Sequence, residues 1–235
     1  MRNIGRTFIV AVAGVLFVAS MGHTDDAARP PTARIVRVKQ AVEVLRKGNT
    51  EWVRAEPDTS LSESEQIRTS AGGFVTLSLA DGSNVQLAEN SRLVVTKLDY
   101  DSKSRDRLMT FHLVLGKIRA SVAPGTAAPE QWKSTFLVST PQGVTAVRRE
   151  ATVVIAYHPT TEKGFCAVLS QPGQTPGMGA AVYVGLRKER QFSPLVVSDG
   201  TFITHVGAES PTDPVPIDTP EGKSEPELSW SDVSP

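Results

Sequence analysis

Residues 66–93 read QIRTSAGGFVTLSLADGSNVQLAENSRL, and this stretch decides the predicted fold. Apolar and polar residues alternate on both sides of Asp81-Gly82. Because successive side chains of a β-strand point to opposite faces, the alternation predicts two short strands, each with one apolar row. The residues that we expect on the buried side are Val75, Leu77, Leu79, Val85 and Leu87.

The turn between the two strands sets their register. A two-residue loop, Asp81-Gly82, would place Leu79 opposite Asn84 and put the apolar rows on different faces. A three-residue loop over residues 80–82, with Gly82 in the left-handed conformation, pairs Leu77 with Val85 instead. We favour the three-residue loop because it buries one face and leaves the other in water. A crossover between parallel strands is the alternative.

The same two-residue period continues along most of the chain. Short apolar runs are separated by turns rich in Gly, Pro, Asn and Asp, and helical periodicity is almost absent. This pattern predicts an all-β domain over residues 35–206, built as a sandwich or a solenoid of short strands.

The N-terminus has the order of a secretory signal. Arg2 and Arg6 supply positive charge, residues 8–18 are apolar, and Ser20 and Gly22 are small residues at a cleavage point. The apolar stretch is about half as long as a membrane-spanning helix. We therefore expect a signal peptide over residues 1–22, a linker over 23–34 and a periplasmic or secreted protein; a retained N-terminal anchor is the alternative.

The C-terminus differs in composition from the rest of the chain. Residues 209–235 hold seven acidic and one basic side chain, a net charge of −6, together with six prolines. Such a segment buries little apolar surface to offset its ordering entropy, so we predict a disordered acidic tail over residues 207–235. The whole chain has a formal net charge of zero and no basic cluster, which argues against nucleic-acid binding.

The sequence carries no pattern of catalytic, cofactor-binding or metal-binding residues. Cys166 is the single cysteine and lies in an apolar run, so we expect a buried structural thiol. Asp81 and Asp199 each precede a glycine, as turn residues do, and Glu150 lies beside two arginines as a paired surface carboxylate would. No histidine pair has the spacing of a zinc site, and we expect structural roles for all four: His23, His112, His158 and His205.

Several short motifs follow one another in a fixed order along the chain. They are Leu61, residues 66–69, 75–79, Asp81-Gly82-Ser83, 85–87, 91–95, 113–118, 136–139, Thr140-Pro141 and 144–148. In their order and spacing they resemble the FecR domain family over roughly residues 35–200.

The chain departs from the family pattern at three places. Ser64-Glu65 stands where the family commonly has Gly-Asp, Arg148-Arg149-Glu150 stands where it commonly has Arg-Gly-Thr, and the family pattern also has a glycine near the position of Gln171. Because glycine suits tight turns, its loss predicts altered turns at these positions.

The resemblance implies an exported recognition or scaffolding domain of the cell envelope with a protein or glycan partner, and signalling is the process that it suggests. In the best-known family members, a cytoplasmic anti-sigma segment and a transmembrane helix precede the domain and relay a signal inward. A chain with a cleaved signal peptide would not perform that relay alone. We therefore expect a non-catalytic binding domain; a carbohydrate-binding or structural envelope module and, less favoured, a secreted enzyme are the alternatives.

Overall fold

The computed structural model describes residues 32–125, 134–169, 181–187 and 190–229. The predicted signal peptide, most of the predicted linker and residues 230–235 lie outside the described residues. In chain order the strands are β1 (Ala33–Lys39), β2 (Val42–Leu45), β3 (Trp52–Arg54), β4 (Ser60–Leu61), β5 (Gln66–Thr69), β6 (Phe74–Ser78), β7 (Asn84–Leu87), β8 (Arg92–Tyr100), β9 (Arg107–Val122), β10 (Ser134–Thr140), β11 (Gly143–Val147), β12 (Ala151–His158), β13 (Lys163–Leu169), β14 (Ala181–Arg187), β15 (Arg190–Gln191), β16 (Leu195–Val197), β17 (Thr201–Val206) and β18 (Val215–Pro216). A short helix, α1 (Pro220–Ser224), and a 3-10 turn (Pro226–Leu228) follow.

The strands form one open sheet whose two halves share β9. The first half has the order β4-β1-β6-β7-β9-β12-β13-β17-β18. The second half has the order β3-β2-β5-β8-β9-β10-β11-β14-β16, and β15 also pairs with β14. Among the described strands, β9 and β10 pair in parallel and all other pairs are antiparallel.

Strand β9 folds the sheet over on itself. Its first half pairs with β8 and β10, whereas its second half, from Gly116 onward, pairs with β7 and β12. An extended strand of its 16 residues would span about 50 Å. However, the Arg107 guanidinium at its start donates to the Ala123 carbonyl just beyond its end, at 2.8 Å. The strand must therefore bend back at Gly116, which brings the two half-sheets face to face.

The bend requires glycine at position 116. Gly116 has φ +91°, and a Cβ there would lie 2.5 Å from the Ser91 Cα. The neighbouring Lys117 amide donates to Ser91 Oγ at 2.9 Å, and the Ser91 amide donates to Thr69 Oγ1 at 2.9 Å. These bonds join the bend to the turns beside it.

The space between the half-sheets is the main hydrophobic core. One buried cluster contains side chains of both halves, among them Ile35, Val75, Leu77, Leu87 and Ile118 of the first and Val44, Ile67, Leu93, Phe111 and Phe136 of the second. The predicted all-β fold is thus confirmed, and the packing is that of a sandwich rather than a solenoid.

The hairpin predicted from residues 66–93 has the expected register. Leu77 pairs with Val85, and Val75 pairs with Leu87. The Leu79 amide donates to the Ser83 carbonyl at 2.9 Å across a three-residue loop, in which Gly82 has φ +86°. All five predicted core residues are at most 5% exposed, so both the loop and the buried face are confirmed.

The structure differs from the prediction over residues 207–229, which were expected to be disordered. Residues 209–229, here called the C-terminal strap, contain β18, α1 and the 3-10 turn. Val215, Ile217 and Leu228 of the strap pack on a second apolar cluster formed by Val154, Ala156, Phe165, Ala167 and Phe202. The reason is that β12, β13 and β17 are apolar on their outer face as well, and this face needs a cover.

A second difference concerns residues 99–107, whose high content of charged residues predicts an exposed loop. Asp99 and Tyr100 belong to β8, and Arg107 begins β9 with a side chain only 2% exposed. Its partner is Asp81 in the hairpin loop, at 2.8 Å. The Arg107 guanidinium can be buried because the carboxylate of Asp81, on the other half-sheet, forms an ion pair with it.

Candidate functional site

One edge of the sandwich is built from four places where the chain passes between the half-sheets. These are residues 40–41, 70–73 and 88–91 and the bend at Gly116. Backbone hydrogen bonds tie neighbouring crossings together: Ser70 N donates to Ala41 O at 3.1 Å, and Ala88 N donates to Lys117 O at 3.0 Å. The crossings therefore form one continuous, rigid edge.

A cleft of about 600 Å³ lies on this edge. Its floor and sides come from the crossings at residues 72–74, 88–90 and 115–117, from Lys39 and from residues 157–159 at the end of β12. The strap supplies the remaining wall through Pro226, Glu227 and Ser229. The cleft thus lies between the crossings of the sandwich and the C-terminal strap.

The charged groups in the cleft engage one another or the backbone. The Gly72 amide donates to Glu89 Oε2 at 2.5 Å. Lys117 Nζ donates to the Ser229 carbonyl at 2.8 Å and lies 3.9 Å from Glu227 Oε2. Glu227 Oε1 also pairs with His158 Nε2. Each of these charged groups thus has a partner within the protein.

Tyr157 adds a neutral hydroxyl to the cleft wall. Burial, with a smaller contribution from the nearby Glu162 carboxylate, raises the pKa of Tyr157 above its ordinary value. The phenol therefore keeps its proton at neutral pH and can donate a hydrogen bond.

Three basic side chains form a row beside the cleft, one on each of three adjacent strands. Lys117 lies on β9, His158 on β12 and Lys163 on β13, and the registers place Lys117 opposite Ala156 and His158 opposite Lys163. Lys163 Nζ donates to both carboxylate oxygens of Glu225, at 2.8 and 3.1 Å. This basic row therefore binds the acidic end of the strap.

The residues singled out in the sequence do not gather at the cleft, except for His158. Asp81 lies in the hairpin loop as predicted, where Ser83 N donates to its Oδ1 at 3.0 Å, and Asp199 lies in the turn before β17. Glu150 lies in the break between β11 and β12, next to Arg148 and Arg149.

The buried polar residues lie inside the sandwich. Cys166 is fully buried, as predicted, and burial raises the pKa of its thiol to about 12. His205 is 1% exposed and places Nδ1 3.0 Å from the Tyr183 hydroxyl. His112 is only half-buried, because it alternates with the core residues Phe111 and Leu113 and so lies on the outer face of β9, and it places Nδ1 2.9 Å from Ser139 Oγ. Burial lowers the pKa of both histidines. His23 lies outside the described residues.

Sequence reasoning missed the cleft and the basic row. Lys117 could have been suspected because it follows the glycine of the 113–118 motif, but Lys163 and Glu225 are separated by 62 residues with no pattern joining them. Within the part of the chain that the structure describes, no three His, Cys, Asp or Glu side chains are grouped so that they could hold a metal ion. No helix in that part is both long and apolar enough to span a membrane.

A comparison with known families matches the part of the chain that forms most of this edge. Residues 65–164 match the FecR protein family. The resemblance predicted from the motif order is therefore confirmed for these residues. The FecR match includes the hairpin, three of the four crossings (the bend at Gly116 among them) and all three residues of the basic row, whereas the C-terminal strap lies beyond it.

Two solved structures are similar to the chain at a low level. Both are crystal structures of a protein described as an anti-sigma factor from Parabacteroides distasonis, with 14% and 15% sequence identity and TM-scores of 0.42 and 0.41. In each case the alignment covers 63% of this chain and 59% of the other. The chain thus spans less than two thirds of these proteins. No curated protein matches it.

One departure from the FecR pattern has a clear structural outcome. Ser64, where the family commonly has glycine, has φ +71°. The turn thus keeps the left-handed backbone that suits glycine, although an altered turn was expected. The following Glu65 is 8% exposed and accepts bonds from the Ser62 amide and the Arg46 guanidinium, both at 2.9 Å. These two bonds hold the turn closed.

Proposed function

We propose that the protein is an exported, non-catalytic binding domain of the cell envelope that takes part in signalling through a protein partner. The observation that carries this proposal is the cleft at the crossings. It is built largely by residues of the FecR match, and its charged side chains are arranged as paired donors and acceptors.

The chemistry of the cleft supports recognition over turnover. A hydrolytic site needs a nucleophile beside a free general base, with a third group that orients the base. Among the described cleft residues, His158 pairs with Glu227 as an oriented base would, but the Ser229 hydroxyl donates to the Pro226 carbonyl at 2.9 Å rather than to the histidine, and the phenol of Tyr157 keeps its proton. These groups fit hydrogen-bonded recognition of a polar ligand.

The FecR match supports a signalling role in the envelope, and the predicted signal peptide supports export to the periplasm or beyond. A protein partner suits the cleft better than a glycan. Sugar sites commonly offer exposed aromatic rings, whereas the two aromatic residues that line the cleft, Phe74 and Tyr157, are buried. Trp52, the one tryptophan among the described residues, lies away from the cleft, with the guanidinium of Arg68 at 4.2 Å and that of Arg92 at 5.3 Å from its ring.

The test is capture of partners from native envelope extract, followed by mass spectrometry. Lys39 lines the cleft with an exposed side chain, so Lys39→Glu should abolish capture of the specific partner. Lys103→Glu makes the same charge change in the exposed turn between β8 and β9 and should leave capture intact. A partner retained equally by all three proteins would contradict the cleft as the binding site, and turnover of a substrate by the purified protein would contradict the non-catalytic role.

A further inference from the structure

The C-terminal strap crosses the outer face of the first half-sheet from one edge toward its middle. It begins along β17, where Val215 pairs with Phe202 and the Ile217 amide donates to the Gly200 carbonyl at 2.8 Å. It ends over β9, where Lys117 Nζ donates to the Ser229 carbonyl. The strap therefore covers β13 and β12 on its way and closes one wall of the cleft.

The surface under the strap has two parts with different chemistry. The first is apolar and is formed by Val154, Ala156, Phe165, Ala167 and Phe202. The second is the basic row at the end of these strands, which holds the carboxylates of Glu225 and Glu227. A segment that fits this surface must present apolar side chains and, at its far end, two carboxylates two residues apart.

The strap is held by contacts of the kind that open easily. Its pairing with β17 involves two residues, its helix has five, and its apolar side chains are only partly buried. Its ion pairs retain solvent contact: the side chains of Lys163 and His158 are 26% and 44% exposed. Segments with few buried contacts and solvated ion pairs belong to the least stable units of a protein.

We infer that the strap occupies, within its own chain, the docking site for an extended acidic segment of the partner. The inference rests on the proposed binding function and names its site and the class of its ligand. The partner segment is a polypeptide with carboxylates at positions i and i+2 followed by an apolar residue, like Glu225, Glu227 and Leu228 of the strap. Its docking displaces the strap and opens the cleft wall.

Charge complementarity is the reason for choosing an acidic partner. The basic row lies on three neighbouring strands, which are spaced about 4.8 Å apart, so adjacent strands can serve carboxylates of one extended segment. Lys117 is fixed in place by the bend, because its amide is bound to Ser91. All three residues of the basic row lie within the FecR match, whereas the strap that covers them lies outside it.

Occupation by the strap sets the apparent affinity of the site. A ligand binds with its intrinsic affinity multiplied by the fraction of molecules in which the site is open. If the strap is closed in nearly all molecules, then weakening it should strengthen binding of a second segment without any change in the site itself.

The test uses the full chain and a fluorescein-labelled synthetic peptide with the sequence of residues 209–229. In the double variant Glu225→Gln/Glu227→Gln, the strap loses the two carboxylates that bind the basic row, while the basic row itself remains. We expect this variant to bind the peptide at least about tenfold more tightly than the wild type, measured by fluorescence anisotropy. A peptide carrying the same two Gln replacements should bind far more weakly, and added salt should weaken binding of the acidic peptide.

A matched control distinguishes the effect of losing these two carboxylates from the effect of removing any two negative charges from the strap. Asp218→Asn/Glu221→Gln removes two charges from exposed positions of the same strap and should bind the peptide as the wild type does. Circular dichroism and denaturation curves of all three proteins check that each remains folded.

The outcomes separate this inference from the proposed function. Equal peptide binding by the three proteins, or none by any, would show that the strap is a fixed part of the core and would overturn the inference. In that case, capture of an envelope partner that depends on Lys39 would leave the proposed function standing. Increased capture of that partner by Glu225→Gln/Glu227→Gln would support both.

Discussion

The two faces of β12 are buried in different ways. On the inner face, Val153 and Ile155 join a cluster that spans both half-sheets. On the outer face, Val154 and Ala156 join a cluster of five buried residues that the C-terminal strap covers. The same strand thus packs against a folded half-sheet on one side and against a peptide-like segment on the other.

The ion pairs of the two interfaces also differ in how far their side chains are exposed to solvent. Between the half-sheets, the side chains of Arg107 and Asp81 are 2% and 1% exposed. Between sheet and strap, those of Lys163 and Glu225 are 26% and 11% exposed. Because solvent screens the outer pair more than the inner pair, we expect the outer interface to contribute less to stability than the inner interface.

The largest effect is expected from breaking the inner pair. Arg107→Met leaves the Asp81 carboxylate buried with only Ser83 as a partner, and should lower the free energy of unfolding by about 3–5 kcal/mol. The midpoint of denaturation in urea measures this loss. Adding Asp81→Asn, which keeps the turn but removes the charge, should recover part of the stability. A loss below about 1 kcal/mol would mean that the pair is solvated.

The inner interface was in part predictable from sequence, because the alternation of apolar and polar residues shows which side chains lie on the buried face of a strand. The pairing of Val75 with Leu87 followed from that rule and from the need of Gly82 for a left-handed turn. The pairing of Arg107 with Asp81 did not, because no local pattern joins residues 26 positions apart.

The outer interface was missed because composition alone suggested a disordered tail. A signal was nevertheless present in residues 151–157, which are buried without interruption. Strands buried on both faces need cover on both, and the strap supplies the second cover. Its acidic residues, taken as a sign of disorder, partly serve to bind the basic row. The cleft could not be predicted, since it depends on crossings and strap meeting in space.

The second largest effect is expected in the pH dependence of stability, and it arises at the inner interface. His205 on β17 contacts Tyr183 on β14, and Phe192 packs edge-on against its ring, so it belongs to the inner interface. Burial lowers the pKa of His205 below its ordinary value of 6.5. The unfolded chain therefore takes up a proton at a higher pH than the folded chain does, and stability should fall as the pH drops from about 6.5 toward the lowered pKa.

Denaturation midpoints at pH 8, 7, 6 and 5, roughly the range in which histidine titrates, measure this loss. His205→Gln should flatten the curve, whereas His112→Gln should flatten it less because His112 is only half-buried. The lowered pKa of His112 acts in the same direction. An unchanged curve in His205→Gln would contradict the assignment of the loss to His205.

The smallest effect on global stability is expected at the outer interface. Lys163→Gln removes the partner of Glu225, but the pair is partly exposed, so the free energy of unfolding should fall by less than about 1 kcal/mol. The same change should be clear in hydrogen exchange. The amides of Thr212 and Ile217, which donate to the Thr204 and Gly200 carbonyls, should exchange faster, while amides in the middle of β12 keep their rates.

Added salt should reproduce the Lys163→Gln pattern in the wild type, because it screens the ion pairs of the strap more than the buried pair of Arg107 and Asp81. Lys223→Gln is the matched control, since Lys223 lies exposed on α1 and its loss removes the same charge from the strap's solvent side. It should leave the exchange rates of the strap unchanged. Strap amides that exchange only as slowly as those of β12 would show that both interfaces open together, and the distinction between the two faces of β12 would then be lost.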